Sequence, residues 1–345
     1  MTIYILNLIL IIIYDKIFKK LKKGRGIYIV VISIQLFCIL ALRGFTVGVD
    51  LDNYIAYYKI IGQMPLTANF MGIEKGYVLY NSILGHLSSD PRFFFVITSA
   101  ALVVGISKFI YDYSKIPWLS YFLFITLGFY AIDFGLLRQA LAIIIVINGF
   151  KYVENGKFWK FGMCIVLATL FHSTASFCIL IYFLRYLKFT IPNILAMLVC
   201  SGFIYISRRQ IISFFLPFAS NDYSQLLISG EGYGMLLMLS TITILSIVFG
   251  KKLIVEESRI TFQFYVLLTG IVLQLLATGF SLFSRIVFYF SIIIIAFIPE
   301  IIEGQEDKKL KWIATFCVVG LCLFFYIYGL NSDGNTLVPY LFMWE

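Results

Sequence analysis

Three arginines stand where apolar stretches of the sequence begin or end. Arg43 follows one stretch, Arg138 lies near the start of another and Arg285 lies at the start of a third. A guanidinium group donates paired hydrogen bonds whose geometry matches a phosphate. Any one of these arginines is explained equally well as an interfacial anchor. Because all three are expected on the same side of a membrane, we predict a shared anion site.

Three further residues could accept a proton from a hydroxyl group. Asp50 and Glu74 lie in one long polar connection, and His172 stands in the polar run FHSTAS between two apolar stretches. A base within hydrogen-bond reach activates a hydroxyl nucleophile. The alternatives are structural: Asp50 and Glu74 as solvated or ion-paired loop charges, and His172 as a residue that satisfies a turn. The sequence leaves the choice of base open.

We predict neither a metal nor another cofactor. Asp50, Leu51 and Asp52 match the DxD triplet with which many sugar transferases hold a divalent cation, but three letters arise easily by chance. The six cysteines lie inside apolar stretches, without the spacing of metal ligands, and are expected to be core residues. No glycine-rich nucleotide-binding motif is present, which argues against ATP-driven chemistry.

The composition requires these residues to be positioned by membrane helices. Hydrophobic residues make up 61% of the 345 residues and charged residues 13%, against about 25% charged residues in soluble domains. The apolar residues occur in blocks of the length of a span, which predicts an all-α, polytopic helix bundle of about twelve spans, within a range of ten to fourteen. We expect one multi-pass membrane domain over residues 1–345. The expected spans cover residues 1–14, 27–42, 91–111, 117–132, 134–150, 158–171, 174–187, 191–206, 233–249, 260–280, 282–299 and 311–329.

The basic residues predict the orientation of these spans. The run from Lys16 to Arg25 follows the first span and should be cytoplasmic by the positive-inside rule. Alternating spans then place most lysines and arginines inside, and both termini outside. The net charge of +9 therefore reflects the membrane and not nucleic acid.

Two outward connections, residues 43–90 and 207–232, are longer than a simple link requires, and long loops on compact folds often carry function. Within the first, apolar residues recur at helical spacing, which predicts a helix that lies in the membrane interface. Its apolar face would carry Tyr77, Tyr80, Ile83, Leu84 and Leu87, and its polar face Asn81, Ser82 and His86.

The order of these elements resembles the EpsG/Wzy group of bacterial polysaccharide polymerases. The matching elements, from about residue 40 to the end, are RGFTVGVDLDNY, GIEKGY, LLRQALA, FHSTA, SRIVFYF and NTLVPY. The resemblance assigns the family's elements to Arg43, Gly48, Asp50, Tyr54, Glu74, Arg138, Gln139 and His172. Asp52 is not carried over. With the resemblance we expect a GT-C-like arrangement of the helices.

The resemblance implies an enzyme of the bacterial cytoplasmic (inner) membrane that joins lipid-linked oligosaccharides on the outer face. The growing chain would pass from undecaprenyl diphosphate to the non-reducing end of the next lipid-linked repeat, giving O-antigen, capsule or exopolysaccharide. A flippase and a chain-length regulator would be its partners, beside membrane lipids. Arg43, Arg138 and Arg285 would bind the diphosphate, Asp50, Glu74 or His172 would act as base, and Tyr54 and Gln139 would bind substrate.

Three other functions remain open from the sequence. A flippase or transporter for lipid-linked sugars would bind the same diphosphate, but its site should reach the middle of the bilayer. A lipid-sugar glycosyltransferase would use the DxD triplet and a metal, and would be sensitive to EDTA. An acyltransferase could use His172 as its base, although arginines suited to phosphate would then have little purpose.

Overall fold

The computed structural model describes residues 1–67, 69–70, 72–215, 232–279, 283–332 and 336–345. Within these ranges the chain is helical, and its one extended pairing is an isolated antiparallel bridge between Arg43 and Phe342. The expected all-α class is confirmed. The second outward connection, residues 207–232, falls mostly outside the described residues.

The first half of the chain forms nine α-helices. They are α1 (Thr2–Phe18), α2 (Gly24–Ala41), α3 (Leu51–Ile61), α4 (Lys75–Leu87), α5 (Pro91–Tyr113), α6 (Pro117–Thr126), α7 (Phe129–Gly135), α8 (Leu137–Asn148) and α9 (Phe150–Glu154).

The second half continues with a 3₁₀ helix at Ser173–Leu180 and nine further α-helices in the described ranges. The α-helices are α10 (Phe158–Thr169), α11 (Ile181–Leu184), α12 (Ile191–Ile206), α13 (Arg208–Phe215), α14 (Tyr233–Glu256), α15 (Ser258–Ala277), α16 (Phe283–Ser291), α17 (Ile294–Glu303) and α18 (Lys308–Leu330).

Six described helical segments are long and apolar enough to cross a membrane, or up to eight if each of two bent pairs is one span. The expected count of about twelve is not confirmed, and neither is the GT-C-like arrangement. The difference arises because several apolar stretches form helices shorter than a span, such as the 12 residues of α10. A span needs about 20 residues at 1.5 Å each.

A glycine divides one of the bent pairs. Gly128 adopts φ 83° between α6 and α7, and the two helices diverge by 56°. A left-handed conformation has no steric penalty at glycine, so the chain changes direction here without strain. The turn leads into α7, and α8 then begins beside Arg138 and runs back toward the end of the bundle where α5 ends.

Both chain termini lie at the same end of the bundle as Arg43. The Tyr4 hydroxyl, in the first turn of α1, donates to the Leu337 carbonyl at 2.8 Å. The amide of Gly44 donates to the Leu341 carbonyl at 2.8 Å. The C-terminal segment thus fastens the connection between α2 and α3 to the start of α1, and termini that share one end agree with an even number of crossings.

The first outward connection, residues 43–90, contains two helices, α3 and α4. The expected helix in this region is therefore present, but its buried face differs from the expected one. Asn81 and Ser82 are fully buried, whereas Ile83 and Leu87 are exposed. Local acceptors bind the donor groups of both side chains: the Asn81 amide donates to the Tyr77 carbonyl and the Ser82 hydroxyl to the Met64 carbonyl.

Candidate active site

A polar cavity of about 290 Å³ opens where α3, α8, α16 and the end of α10 meet. Its walls combine cations, a carboxylate, an imidazole and phenols, which is the mixture that a phosphorylated sugar would require. Six of the residues predicted from the sequence line it: Asp50, Tyr54, Arg138, Gln139, His172 and Arg285.

One wall of the cavity is a single face of α3. Asp50, Asn53, Tyr54 and Tyr57 line the cavity, and their spacing is that of residues on one side of a helix. Asp50 precedes the first residue of α3 and adopts φ 60°. This left-handed conformation is uncommon outside glycine, although Asp and Asn tolerate it best, and such strained positions concentrate at functional sites.

Glu74 lies beside the cavity and connects three segments of the fold. Its Oε2 accepts a hydrogen bond from Nη1 of Arg138 at 2.7 Å, and its Oε1 accepts one from the Ser173 amide at 3.1 Å. Nδ1 of His172 lies 3.4 Å from the same Oε1. One carboxylate therefore holds an arginine by a hydrogen bond and contacts the histidine, and both of these residues line the cavity.

The surroundings of Glu74 keep it ionised. Burial by itself would raise the pKa of this carboxyl, but the neighbouring His172, the charge of Arg138 and the amide of Ser173 together lower its pKa to about 2. A carboxylate with so low a pKa is a poor proton acceptor at neutral pH. Glu74 is thus better suited to position its neighbours than to act as the base.

Arg285 contributes the second cation of the cavity. Its backbone carbonyl accepts a hydrogen bond from Nε2 of Gln139 at 2.7 Å, which ties α16 to α8. Among the described residues its guanidinium forms no salt bridge. Of the two arginines in the cavity, Arg138 is paired with a carboxylate, and Arg285 has no such partner in the described part of the chain.

Arg43 does not line the cavity. Only 2% of this residue is exposed, and its guanidinium donates to the main-chain carbonyls of Leu40 and Phe134. The group also lies over the Phe134 ring, at 5.0 Å from its centroid. Arg43 thus joins the end of α2 to α7, and the structure does not bring it together with Arg138 and Arg285.

Two residues of the site are not predicted from the sequence. Asn53 lies on the cavity face of α3, and the spacing from Asp50 through Asn53 to Tyr57 could have revealed it. The Ser173 amide, which holds Glu74, carries no signal in the sequence because any residue has one. Leu136 completes the lining as an apolar neighbour of Arg138.

Within the part of the chain that the structure describes, no three His, Cys, Asp or Glu side chains form a group that could hold a metal ion. Asp52, the second acid of the DxD triplet, is exposed and is not among the residues that line the cavity.

Comparison with known proteins relates this site to a family. The model of the EpsG family matches residues 26–342, which include every residue of the cavity. No curated protein and no solved structure matches the chain.

Proposed function

Because the chain belongs to the EpsG family, we propose that it is a polysaccharide polymerase of the bacterial cytoplasmic membrane. The apolar helices make it an integral membrane protein. Its substrates are glycans linked to undecaprenyl diphosphate, and its product is a longer chain on the same type of lipid carrier. The single observation that carries this proposal is the presence of Arg138, Arg285, Asp50 and His172 around one cavity.

The reaction joins two lipid-linked glycans. A hydroxyl at the non-reducing end of the acceptor repeat attacks the anomeric carbon of the donor chain. The bond between that carbon and the diphosphate oxygen breaks, and the hydroxyl proton passes to a base of the enzyme. The lipid diphosphate leaves with the electron pair of the broken bond, so the only groups that the enzyme must supply are cations and one base.

Arg138 and Arg285 stabilise the departing diphosphate. Negative charge grows on the leaving oxygen in the transition state, and fixed cations lower its energy more than they lower that of the bound donor. Arg285 contributes a positive charge that has no ion pair among the described residues, whereas Arg138 is held in orientation by Glu74. We assign Arg43 a structural role in place of the diphosphate contact expected from the sequence.

Asp50 and His172 are the candidates for the base, with Asp50 preferred. It projects from the start of α3 on the face that also presents Asn53, Tyr54 and Tyr57. Amides and phenols hydrogen-bond sugar hydroxyls, and phenol rings stack on sugar rings, so this face suits the acceptor glycan. His172 is held by Glu74 and orients the hydroxyl or the diphosphate. No metal takes part in this scheme.

The positive-inside rule places the basic end of the bundle in the cytoplasm and the cavity at the outer surface. Lipid-linked repeats reach that surface through a flippase, and a chain-length regulator acts on the product.

The test is deletion of the gene in its host, followed by separation of the lipid-linked and surface glycans by length. We expect long chains to disappear while single repeats persist on the outer surface. The wild-type gene should restore the long chains, and Arg138→Ala and Arg285→Ala should not, although both proteins should be present in the membrane at normal levels. Arg→Lys at either position should also fail, because a point charge cannot replace the planar fork.

Two results would overturn the proposal. Loss of the single exported repeat on deletion would identify a flippase or an earlier transferase. Near-normal chain lengths with both alanine variants would remove the diphosphate site. Sensitivity of polymerisation to EDTA, measured with purified protein, would favour the metal-dependent transferase.

A further inference from the structure

A second and larger cavity, of about 790 Å³, lies at the opposite end of the bundle from the candidate active site. The helix α5 connects the two ends. Arg92, at its N-terminal end, donates to the Arg43 carbonyl, and Tyr111, near its C-terminal end, lines the second cavity. The 23 residues of α5 rise about 34 Å, close to the thickness of the hydrocarbon core. The two cavities are therefore at opposite membrane surfaces.

Basic side chains dominate this second cavity, which we call the basic crevice. Its cationic lining residues are Lys19, Lys22, Lys23, Arg25, Lys115 and Lys311, and its acidic lining residues are Asp15 and Glu303. The positive charges exceed the negative ones, so an anion would be attracted to it.

The charges of the basic crevice are only partly compensated by the protein. Arg25 donates to the carbonyls of Tyr111 and Ser114, and Lys311 pairs with Glu303. Among the described residues, Lys22, Lys23 and Lys115 form no salt bridge. They come from the turn between α1 and α2 and from the connection between α5 and α6, so the fold itself brings them around one cavity.

Exposed apolar side chains border the basic crevice. On α18, Trp312 follows the lining residue Lys311, and Phe316 follows the lining residue Thr315. The two side chains are 69% and 66% exposed, and their rings stack with centroids 5.6 Å apart. Leu21, in the lining itself, is 50% exposed. A ligand that fits this surface has an anionic head and apolar chains.

We propose that the basic crevice binds the headgroup of an anionic phospholipid, whose acyl chains lie along the exposed faces of α18 and α1. Basic pockets between transmembrane helices recognise such headgroups, and each nearby lysine strengthens the attraction to anionic lipid. A soluble phosphate compound shares the anionic chemistry but would gain nothing from the apolar border. The proposal does not depend on the reaction at the other end.

The test is native mass spectrometry of the full-length protein in detergent with added phosphatidylglycerol or phosphatidylcholine. We expect the wild type to retain phosphatidylglycerol selectively. We expect the affinity for phosphatidylglycerol to fall about tenfold or more in the triple variant Lys22→Gln, Lys23→Gln, Lys115→Gln. Arginine at the same three positions should preserve the affinity. The matched control, Lys251→Gln, Lys308→Gln, Lys309→Gln, removes equal charge from exposed positions at the same end and should bind like the wild type.

Size-exclusion profiles and thermal stability identify any variant that fails to fold, in which case Lys115→Gln alone replaces the triple variant and should lose a smaller part of the binding. Equal loss in the control would overturn the proposal, because the lysines would then act only through their total charge. Displacement of phosphatidylglycerol by millimolar glycerol 3-phosphate or inorganic phosphate would also overturn it, because the site would then serve a soluble anion.

Discussion

The charged residues in and near the candidate site differ in whether they already have partners within the protein. Arg43 and Glu74 are both engaged: the first by main-chain carbonyls, the second by Arg138 and the Ser173 amide. Asp50 and Arg285 line the cavity without such an ion pair among the described residues. A charged group in a polar cavity that has no partner in the protein is available to a ligand. We therefore expect Asp50 and Arg285 to contact the substrate.

The first prediction concerns the base. Asp50→Asn should lower the rate of polymerisation about 100-fold, because the amide cannot accept the hydroxyl proton. Asn tolerates the left-handed backbone of this position, so the fold should be retained. The matched control is Asp52→Asn, two residues along and outside the cavity, which should keep at least about half of the activity. The measurement is glycan length and initial rate with purified protein.

Equal losses from Asp50→Asn and Asp52→Asn would contradict this assignment and favour a metal held by the triplet. Full activity of Asp50→Asn would transfer the role of base to His172.

The second prediction concerns the positioning role of Glu74. Glu74→Gln should reduce activity about tenfold or more, because Arg138 and His172 lose the carboxylate that orients them. Lys75→Gln, at the next and exposed position, is the control. Because the paired carboxylate is desolvated, its loss should also lower stability by about 2 kcal/mol at neutral pH.

The pH dependence of stability tests the same residue independently of activity. The pKa of Glu74 is depressed from 4.5 to about 2, so its contribution is complete above about pH 4.5 and is lost as the pH falls toward 2. In detergent, the difference in thermal midpoint between the wild type and Glu74→Gln should shrink over this interval. A difference that stays constant would show that Glu74 is not ionised in the folded protein, or that its pKa is not depressed.

At the scale of elements, the site depends on how closely α3 and α4 approach each other. Gly62 ends α3 and Gly85 lies in α4, and a Cβ atom added at Gly85 would lie 2.2 Å from the Gly62 Cα. This contact between two backbones joins the C-terminal ends of α3 and α4, the helices that follow Asp50 and Glu74. The spacing of the two functional helices is thus maintained by residues that have no side chain.

The third prediction follows from this contact. Gly85→Ala should force α3 and α4 apart and lower the free energy of unfolding by about 1–3 kcal/mol. Polymerisation activity should fall by a larger factor than the amount of protein in the membrane. Gly162→Ala, in α10, introduces the same methyl group where no heavy atom lies within 4 Å and should be neutral. Thermal midpoints and polymerisation rates of the two variants provide the measurement, and equal behaviour would contradict the close approach.

At the scale of the whole molecule, the fold separates two polar ends by an apolar middle. The candidate site, both termini and the C-terminal segment lie at one end, and the basic crevice lies at the other. This polarity matches the expectation that one end faces the cytoplasm and the other faces outward.

The fourth prediction tests that orientation. With intact cells, a membrane-impermeant maleimide should label Asp52→Cys and should not label Lys309→Cys until the membrane is permeabilised. Both positions are exposed, and wild-type protein measures the background from the six native cysteines. The reverse pattern would place the candidate site in the cytoplasm and exclude polymerisation on the outer surface.

The membrane class, the positions of most helices and six of the residues around the cavity are predictable from the amino-acid sequence. These follow from composition, from apolar blocks and from local spacing, all of which act between residues close together in the chain. The match with the EpsG family over residues 26–342 confirms the family resemblance.

Which charged side chains meet depends on contacts between segments that are far apart in the sequence. Glu74 pairs with Arg138 and approaches His172 because α4 packs beside α8 and the end of α10, and no local pattern encodes that packing. Arg43 is kept out of the cavity by another long-range contact, since its guanidinium donates to the Phe134 carbonyl on α7. The neighbours of a charged side chain in space determine whether it stabilises the fold or remains available to a ligand. Those neighbours come from segments far apart in the sequence.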